Sequence, residues 1–444
     1  MATTQAMVKA SEPPLTEAQY YRRQLSGLCH GRGIELGALH APTHGLPAES
    51  LVLYVDKEST KDLAARFASD ENVAAESLVP VDVVSDGGRL PFGTGALDFL
   101  IANHVIEHLP NPLGALSEWY RCLKDGGRLY LSVPDKRFCF DVDRALTSWA
   151  HLLADLQRND DGFSVASREH LREWARIVEG ASPDEVDERV DNHLSTVLDY
   201  HCHTWTYESM LSTLDHCGAE LGLRFEREED LSSYETWGEM ILVLRKDPHA
   251  ANLLPARYRY PEWHFARMDK VLDELSKGAV WEQSFICAHD GLTAIHVRFG
   301  TYMRANSGTL VFRLYRSRDS APLVRLEADL SGLHDNLFQA FRFATVKRSA
   351  GRRFRFTLEA PESAPGNAVT AWCAAHDDAS VILTVNGFHI PCTTLNFKAF
   401  SVASLHDSDA WSGQRVPPPG NQTDCLRRIS RALQSLVSKG GRTN

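Results

Sequence analysis

Short apolar runs separated by helical periodicity fill the first half of the chain, and strict alternation fills much of the second. Residues 33–36, LVLYVD (Leu51–Asp56), LVPVDVV (78–84), ALDFLIA (96–102) and GRLYLSV (127–133) are brief, apolar and ended by charged, polar or proline residues. That is the form of strands buried on both faces. Helical patterns lie between several of them, and the amphipathic stretch LTEAQYYRRQLSGL precedes the first. In NPLGALSEWYRCLKDGG, Asn111 can cap the helix, Pro112 suits its first turn, and Gly126 and Gly127 stop it. Strand alternating with helix predicts a mostly parallel α/β sheet. About sixty residues, 141–200, carry polar helical patterning without a strand and read as an insertion over the sheet's active edge. The sheet is expected to resume with a helix around 207–217 and strands near 221–225 and 240–244.

Beyond Lys246 the pattern changes. DPHAANLLPARYRYPEW reads as a linker, followed by a helix over 265–276. LTAIHVRFGTY, GTLVFRLYRS, QAFRFATV, RFRFTLEA, AVTAWCA and SVILTVNG then alternate with period two. Regular short strands with turn residues between them predict an all-β sandwich or jelly roll. The expected organisation is therefore a catalytic domain over 1–246, a linker and helix over 247–278, and a β domain over 279–410. A flexible segment and a basic amphipathic helix, CLRRISRALQSLVSK, fill 411–444.

Composition narrows the function classes. A chain of 444 residues is too long for one core. The net charge of −11 argues against broad affinity for nucleic acid or anionic membrane. No apolar run reaches the length of a membrane span, and MATTQAMVKASEPPL lacks the apolar core of a signal peptide. The nine cysteines are scattered and form no C-x-x-C pair, as expected of reduced thiols in the cytoplasm. Peripheral membrane association through the terminal helix is a weaker expectation than its docking onto protein.

Ligands of open α/β sheets bind outside the carboxyl ends of the parallel strands. The first strand gives GIELGALHAP, with Glu35 inside it and Gly37 at its exit. Asp56 ends the second, where a carboxylate can accept hydrogen bonds from both hydroxyls of an adenosine ribose. SDGGRLPF after the third offers Asp86 and the Gly87 backbone to an adenine edge. The fourth runs through Asn103 into HVIEHLPNP, and the fifth ends in VPDKRF. Singly, such aspartates are turn residues; jointly and in this order they favour cofactor binding.

The series GIELG, YVD, SDGGRLPF and LDFLIANHVIEHLPNPLGALSEWYRCLKDGGRLYLSVP resembles the class I S-adenosylmethionine-dependent methyltransferases. It is most similar to the branch found with polysaccharide and other glycan biosynthesis. The resemblance covers about residues 31–246, is most specific over 97–134, and includes HCHTWTYESM at 201–210. It implies a Rossmann-like, mostly parallel seven-stranded sheet with S-adenosylmethionine as cofactor. The implied acceptor is a sugar hydroxyl of a glycan or nucleotide-linked sugar, and the implied company is other glycan-biosynthesis enzymes. The cofactor residues so implied are Glu35, Gly37, Ala38, His40, Asp56, Asp86, Gly87 and Asn103. One departure matters: of the family's D/E-x-G-x-G-x-G glycines only Gly37 is present, and residues 37–50 leave little room for the usual helix. The cofactor's methionine end is then expected on a different loop, with His40 and the Ala38 backbone.

HVIEH also matches the H-x-x-E-H zinc-peptidase pattern, and His104, Glu107 and His108 share a helical face. A parallel strand directly before it is the wrong context for a peptidase. Methyltransferases acting on vicinal hydroxyls, those of ubiquinone biosynthesis and small-RNA 3′ ends, carry a similar E-x-x-E-H that binds a divalent ion. A divalent metal here, completed by His201 or His203, stands as an alternative to simple packing and substrate contact. Methyl transfer to a hydroxyl needs a base, for which His108 is the first candidate and His201 and His203 the next. For each, a structural histidine is the competing reading. Asp135, Lys136 and Arg137 are candidates for substrate contact, with a solvated turn as the alternative.

A nicotinamide dehydrogenase would want G-x-G-x-x-G after the first strand, which GALHAP does not supply. A methyltransferase of another acceptor class and a non-catalytic carbohydrate-binding scaffold remain as alternatives. In the β domain Trp281, Tyr302, Trp372 and Phe388 can stack on sugars or fill the core.

Overall fold

A computed structural model describes residues 17–68, 73, 77–158, 163–196, 200–236, 238–250, 257–264, 268–317, 319–376 and 380–404. Two units divide at Leu253 and Leu254. The first contains α1 (Glu17–Ser26), β1 (Arg32–Leu36), β2 (Leu51–Asp56), α2 (Thr60–Arg66), β3 (Val83–Val84), β4 (Leu97–Asn103), α3 (Pro112–Cys122) and β5 (Leu123–Pro134). An insertion of α4 (Trp149–Gln157), α5 (Phe163–Ile177) and α6 (Val186–Thr196) follows. Then come α7 (Tyr207–Glu220), β6 (Phe225–Leu231), α8 (Ser233–Thr236) and β7 (Glu239–Lys246). The strands form one sheet in the order β3-β2-β1-β4-β5-β7-β6, with β1 to β5 mutually parallel and β7 antiparallel to both its neighbours. Phe99, Leu100, Ile101 and Ala102 of β4 are fully buried, as are Leu129, Tyr130 and Leu131 of β5, so the middle of the sheet is its core.

Three local expectations shift. The third strand is two residues rather than 78–84. Pro80 has no N–H, Val79 N donates to Leu39 O, and Val81 N donates to Thr60 Oγ1, so these positions are bound to the loop after β1 and to the start of α2 rather than to β2. Residues 221–225 end α7 instead of forming a strand, because Leu221 N and Leu223 N both donate to Cys217 O and Gly222 has φ +71°. The sixth strand begins where that expectation ended. Helix α3 starts as the sequence indicates, with Asn111 Oδ1 accepting from Gly114 N at 2.9 Å, but ends at Cys122 ahead of Gly126 and Gly127. Asn111→Ala should destabilise the domain by about 1 kcal/mol, the usual value of an N-cap, read from urea unfolding.

The second unit is built from antiparallel strands. They are β8 (Arg257–His264), β9 (Lys270–Val271), β10 (Trp281–Ile286), β11 (Leu292–Gly300), β12 (Thr309–Arg316), β13 (Val324–Asp329) and β14 (Phe338–Val346). The chain continues as β15 (Arg353–Glu359), β16 (Thr370–Ala375), β17 (Ile382–Val385), β18 (Phe388–Ile390), β19 (Thr393–Leu395) and β20 (Phe397–Ser404). One sheet runs β13-β12-β15-β10-β17-β18; the other runs β19-β16-β11-β20-β8, with β14 on β11 and β9 on β16. Phe285, Phe312, Phe354 and Phe356 of the first share one buried core with Leu292, Ile295, Val297, Phe299 and Phe397 of the second. Across the two, Phe312 stacks on Phe341 with centroids 4.4 Å apart.

The linker and helix expected over 247–278 are corrected here. Residues 257–264 form β8, paired with β20. Among the described residues of 265–276 there is no helix. Asp269 N, Leu272 N and Leu275 N donate to Cys373 O, Ala371 O and Val369 O, so the backbone is committed to the neighbouring strand. The terminal segment 411–444 lies outside the described residues. No helix among those described is long and apolar enough to cross a membrane.

Candidate active site at the strand exits

The exit of β1 is shaped by a buried carboxylate. Glu35 is 1% exposed, and its oxygens accept from Thr43 N at 3.0 and 3.1 Å and from Thr43 Oγ1 at 2.8 Å. Asn103 Nδ2 of β4 joins at 3.3 Å and also donates to Thr43 Oγ1 at 2.8 Å. Burial raises the Glu35 pKa, against the lowering effect of the Thr43 and Asn103 bonds. The loop over 37–50 contains no helix and is held by this carboxylate instead. Gly37 sits at φ +63°, the left-handed region glycine allows, and its N–H donates to Val55 O at 2.9 Å. Ala38 is buried and His40 exposed.

Asp56 ends β2, half-buried. One oxygen accepts from Glu58 N at 3.4 Å, a long bond, and burial raises the carboxyl pKa. After β3, Asp86 Oδ1 accepts from Gly88 N at 2.9 Å and Arg89 N at 3.1 Å. This turn presents Gly87 at φ +80°, whose carbonyl accepts from Trp119 Nε1 of α3 at 2.8 Å. Removing that indole donor by Trp119→Phe should cost about 1 kcal/mol and loosen the turn, seen as faster amide exchange at residues 86–88. Asn103 Oδ1 is buried and accepts no hydrogen bond from the described residues. An orphaned buried acceptor at this strand exit suits an ammonium-bearing ligand.

Beyond β4 the chain turns sharply, with His104 at φ +52° donating its N–H to Ser132 O. The His104 Nδ1 lies 3.8 Å from Glu107 Oε1, beyond hydrogen-bond distance. Its Nε2 lies 2.7 Å from Glu239 Oε2, which also receives Arg22 of α1 at 2.7 Å and the Ser132 hydroxyl. Burial works to raise the Glu239 pKa, but Arg22 and His104 prevail and hold it at about 2. Glu107 instead converges with His108 and His201, with ligand atoms within 4.8 Å of one another. Glu107 is 1% exposed, neither of its oxygens accepts a hydrogen bond from the described residues, and burial pushes its pKa up to about 7. The rings of His108 and His201 meet edge to face at 4.8 Å.

Both imidazoles have their tautomer set by a neighbour. His108 Nδ1 lies 2.9 Å from Tyr200 O, which can only accept, so Nδ1 carries the proton and Nε2 the lone pair. His201 Nδ1 lies 2.5 Å from Asp141 Oδ2. Burial works to raise the Asp141 pKa, but His201 and Arg144 outweigh it and keep the carboxylate below the usual range. Arg144 donates to Asp141 Oδ1 at 2.9 Å, to His201 O at 2.8 Å and to Cys202 O at 3.0 Å. Asp141 and Arg144 were not singled out in the sequence, where nothing links them to a histidine sixty positions away.

The remaining candidates stand apart from this group. His203 faces the opposite way: its Nε2 lies 3.1 Å from Asp155 Oδ2, in a second cluster with His151 and His170, and burial lowers its pKa to about 4. Asp135 is fully buried and holds Arg137, Tyr207 N and Ser233 Oγ, tying β5 to α7 and α8. Arg137 also reaches Glu208 and Tyr234. Lys136 Nζ donates to Val142 O at 2.8 Å. In the second unit Trp281 is core, Trp372 Nε1 donates to Asn336 Oδ1, and Tyr302 and Phe388 are exposed.

The sheet order and the residues at its strand exits are those expected from the resemblance to class I S-adenosylmethionine-dependent methyltransferases. Residues 46–177 match the family model described as a methyltransferase domain. An uncharacterised methyltransferase of Mycobacterium leprae strain Br4923 is 30% identical over 113 residues, 22% of this chain and 42% of that protein. The chain thus spans less than half the length of the curated relatives it matches. Among solved structures, a candidate methyltransferase from Bacillus halodurans C-125 is 16% identical, with 52% of this chain and 98% of that one covered and a TM-score of 0.29. A methyltransferase from Aquifex aeolicus named as dependent on the same cofactor is 14% identical, with 51% and 88% covered and a TM-score of 0.27.

Proposed function

We propose that the first unit transfers the methyl group of S-adenosylmethionine to a sugar hydroxyl, within a glycan or on a nucleotide-linked sugar. The observation that carries the reading is the polar group beyond β4, where Glu107, His108 and the His201–Asp141 pair converge. When bound, the cofactor supplies a methyl already activated by its sulfonium. The chain's part is to hold the cofactor, align the hydroxyl and remove its proton. Asp56 would receive the ribose hydroxyls, the Asp86–Gly87 turn the adenine edge, and Asn103 Oδ1 the methionine ammonium. Glu35 acts through the loop it pins, positioning Gly37, Ala38 and His40.

His201 is the base this geometry favours over His108. Its Nδ1 proton is held by an ionised aspartate that would also stabilise the imidazolium formed on proton uptake, the arrangement that makes a histidine effective in this role. His108 and Glu107 line the same space and would hydrogen-bond the acceptor's hydroxyls. Nine scattered cysteines without a C-x-x-C pair suit a reducing compartment such as the cytoplasm. The deciding experiment offers the protein S-adenosylmethionine with a panel of nucleotide sugars and oligosaccharides. Mass spectrometry should then show a gain of one methyl on a sugar. Methylation confined to acceptors without sugars would overturn the acceptor class. Cofactor binding without turnover on any acceptor would favour a scaffold.

A second reading takes Glu107, His108 and His201 as ligands of a divalent ion that chelates vicinal hydroxyls, and the two Glu107 oxygens, which accept no hydrogen bond from the described residues, favour it. Glu107→Gln separates the readings. A metal ligand would lose nearly all activity on this change, and added divalent ion would restore part of it. A hydroxyl-binding group would lose about tenfold and ignore the ion, the size of one hydrogen bond.

A further inference from the structure

The insertion carries a second convergence of side chains that the transfer reaction does not use. His151 and Asp155 lie one turn apart on α4, His170 comes from α5, and His203 comes from the strap that returns to α7. Their ligand atoms all lie within 4.8 Å of one another. Asp155 Oδ2 is 3.2 Å from His151 Nε2, 3.7 Å from His170 Nε2 and 3.1 Å from His203 Nε2, and the His151 and His170 Nε2 atoms are 3.0 Å apart.

Hydrogen bonding alone does not satisfy this arrangement. Each Nε2 bears either one proton or one lone pair. If His151 donates to His170, it has no proton left for Asp155. His170 Nε2 then turns a lone pair toward the same carboxylate oxygen. If the donation runs the other way, the conflict passes to His151. A cation at the centre removes it, because all four atoms then present lone pairs inward.

We infer that His151, Asp155, His170 and His203 bind one zinc ion as a closed structural site. A tetrahedral ion with ligands at about 2.0–2.1 Å has ligand–ligand edges of about 3.3–3.4 Å, within the range of the four separations above. Three imidazoles and one carboxylate suit zinc and exclude the all-oxygen preference of calcium and magnesium. Four protein ligands leave no position for water or substrate, which makes the site structural. Arg158 donates to the outer oxygen Asp155 Oδ1 at 3.3 Å, orienting the carboxylate for one-oxygen coordination. Asp155, His170 and His203 are buried, while the His151 side chain is 38% exposed and gives the ion a way in. The ion would tie α4 and α5 to the strap that carries His201, two residues from His203.

The test is metal analysis of the full chain, independent of activity. Protein loaded with zinc and desalted should hold one zinc per chain by plasma mass spectrometry. His170→Ala and Asp155→Ala should hold almost none, while Glu107→Gln keeps its zinc. Cobalt(II) taken up by chelator-stripped wild type should give the intense visible absorption of a tetrahedral site. Zinc alone should raise the melting temperature of the stripped protein. These wild-type readings stand even if a variant fails to fold. Stripped wild type that takes up neither zinc nor cobalt, or a His170→Ala protein with undiminished zinc, overturns the inference.

Discussion

Replacing His201 by alanine is expected to lower the rate of methyl transfer about 10²–10⁴-fold, equivalent to about 2.7–5.5 kcal/mol of barrier. Affinity for the cofactor should be nearly unchanged. A sugar hydroxyl is a poor nucleophile until its proton is taken, so loss of the base appears in the chemical step and not in binding. Asp141→Asn should reproduce much of the loss. An asparagine amide can donate toward His201 Nδ1, which would draw the ring into the tautomer with its proton on Nε2. Single-turnover methyl transfer gives the rate, and calorimetry with S-adenosylhomocysteine gives the affinity. His201→Ala with full activity would remove it from the reaction and return His108 to first place.

The second large effect is expected at Asp56. Asp56→Ala should weaken S-adenosylhomocysteine binding at least about 100-fold, since two hydrogen bonds to a charged acceptor contribute about 1.5–3 kcal/mol each. The protein gives this carboxylate only local partners, the backbone N–H groups of Lys57 and Glu58, and burial raises its pKa. Stability should barely change, because little of the fold depends on it. A folded Asp56→Ala protein that binds with wild-type affinity would show that the ribose lies elsewhere.

Most of the sheet was legible in the sequence because its strands are continuous apolar runs. LVLYVD is β2 residue for residue, and the runs expected for β4 and β5 fall inside or within one residue of the observed strands. Two of the misreadings came from donors taken by partners distant in sequence. Val81 N is claimed by Thr60, and the backbone of 269–275 by β16, which no local pattern reveals. At the site, the order of Glu35, Asp56, Asp86 and Asn103 along the strands was visible, but the attachment of Glu35 to Thr43 was not. His108 and His201 stood out as histidines in the right segments. What separates His201 from His203 is the carboxylate each one meets, Asp141 or Asp155, and both carboxylates come from the insertion. The H-x-x-x-D spacing of His151 and Asp155 was the one local trace of the second cluster.

The insertion's two ends also fix when the enzyme becomes competent. The residues proposed to cradle the cofactor all lie between positions 35 and 103, on β1, β2 and β4 and the turns that follow them. Proton removal requires Asp141 and His201 to meet across sixty positions, and the strap after His201 to dock on residues 107–108, with Cys202 bonded to His108 O from 94 positions away. Contacts of such separation incur the entropy of loop closure before they return any stabilisation. Recovered activity in a refolding chain should therefore report closure of the insertion, in step with the β5–β7 pairing, where Arg128 meets Arg245 across a longer stretch still.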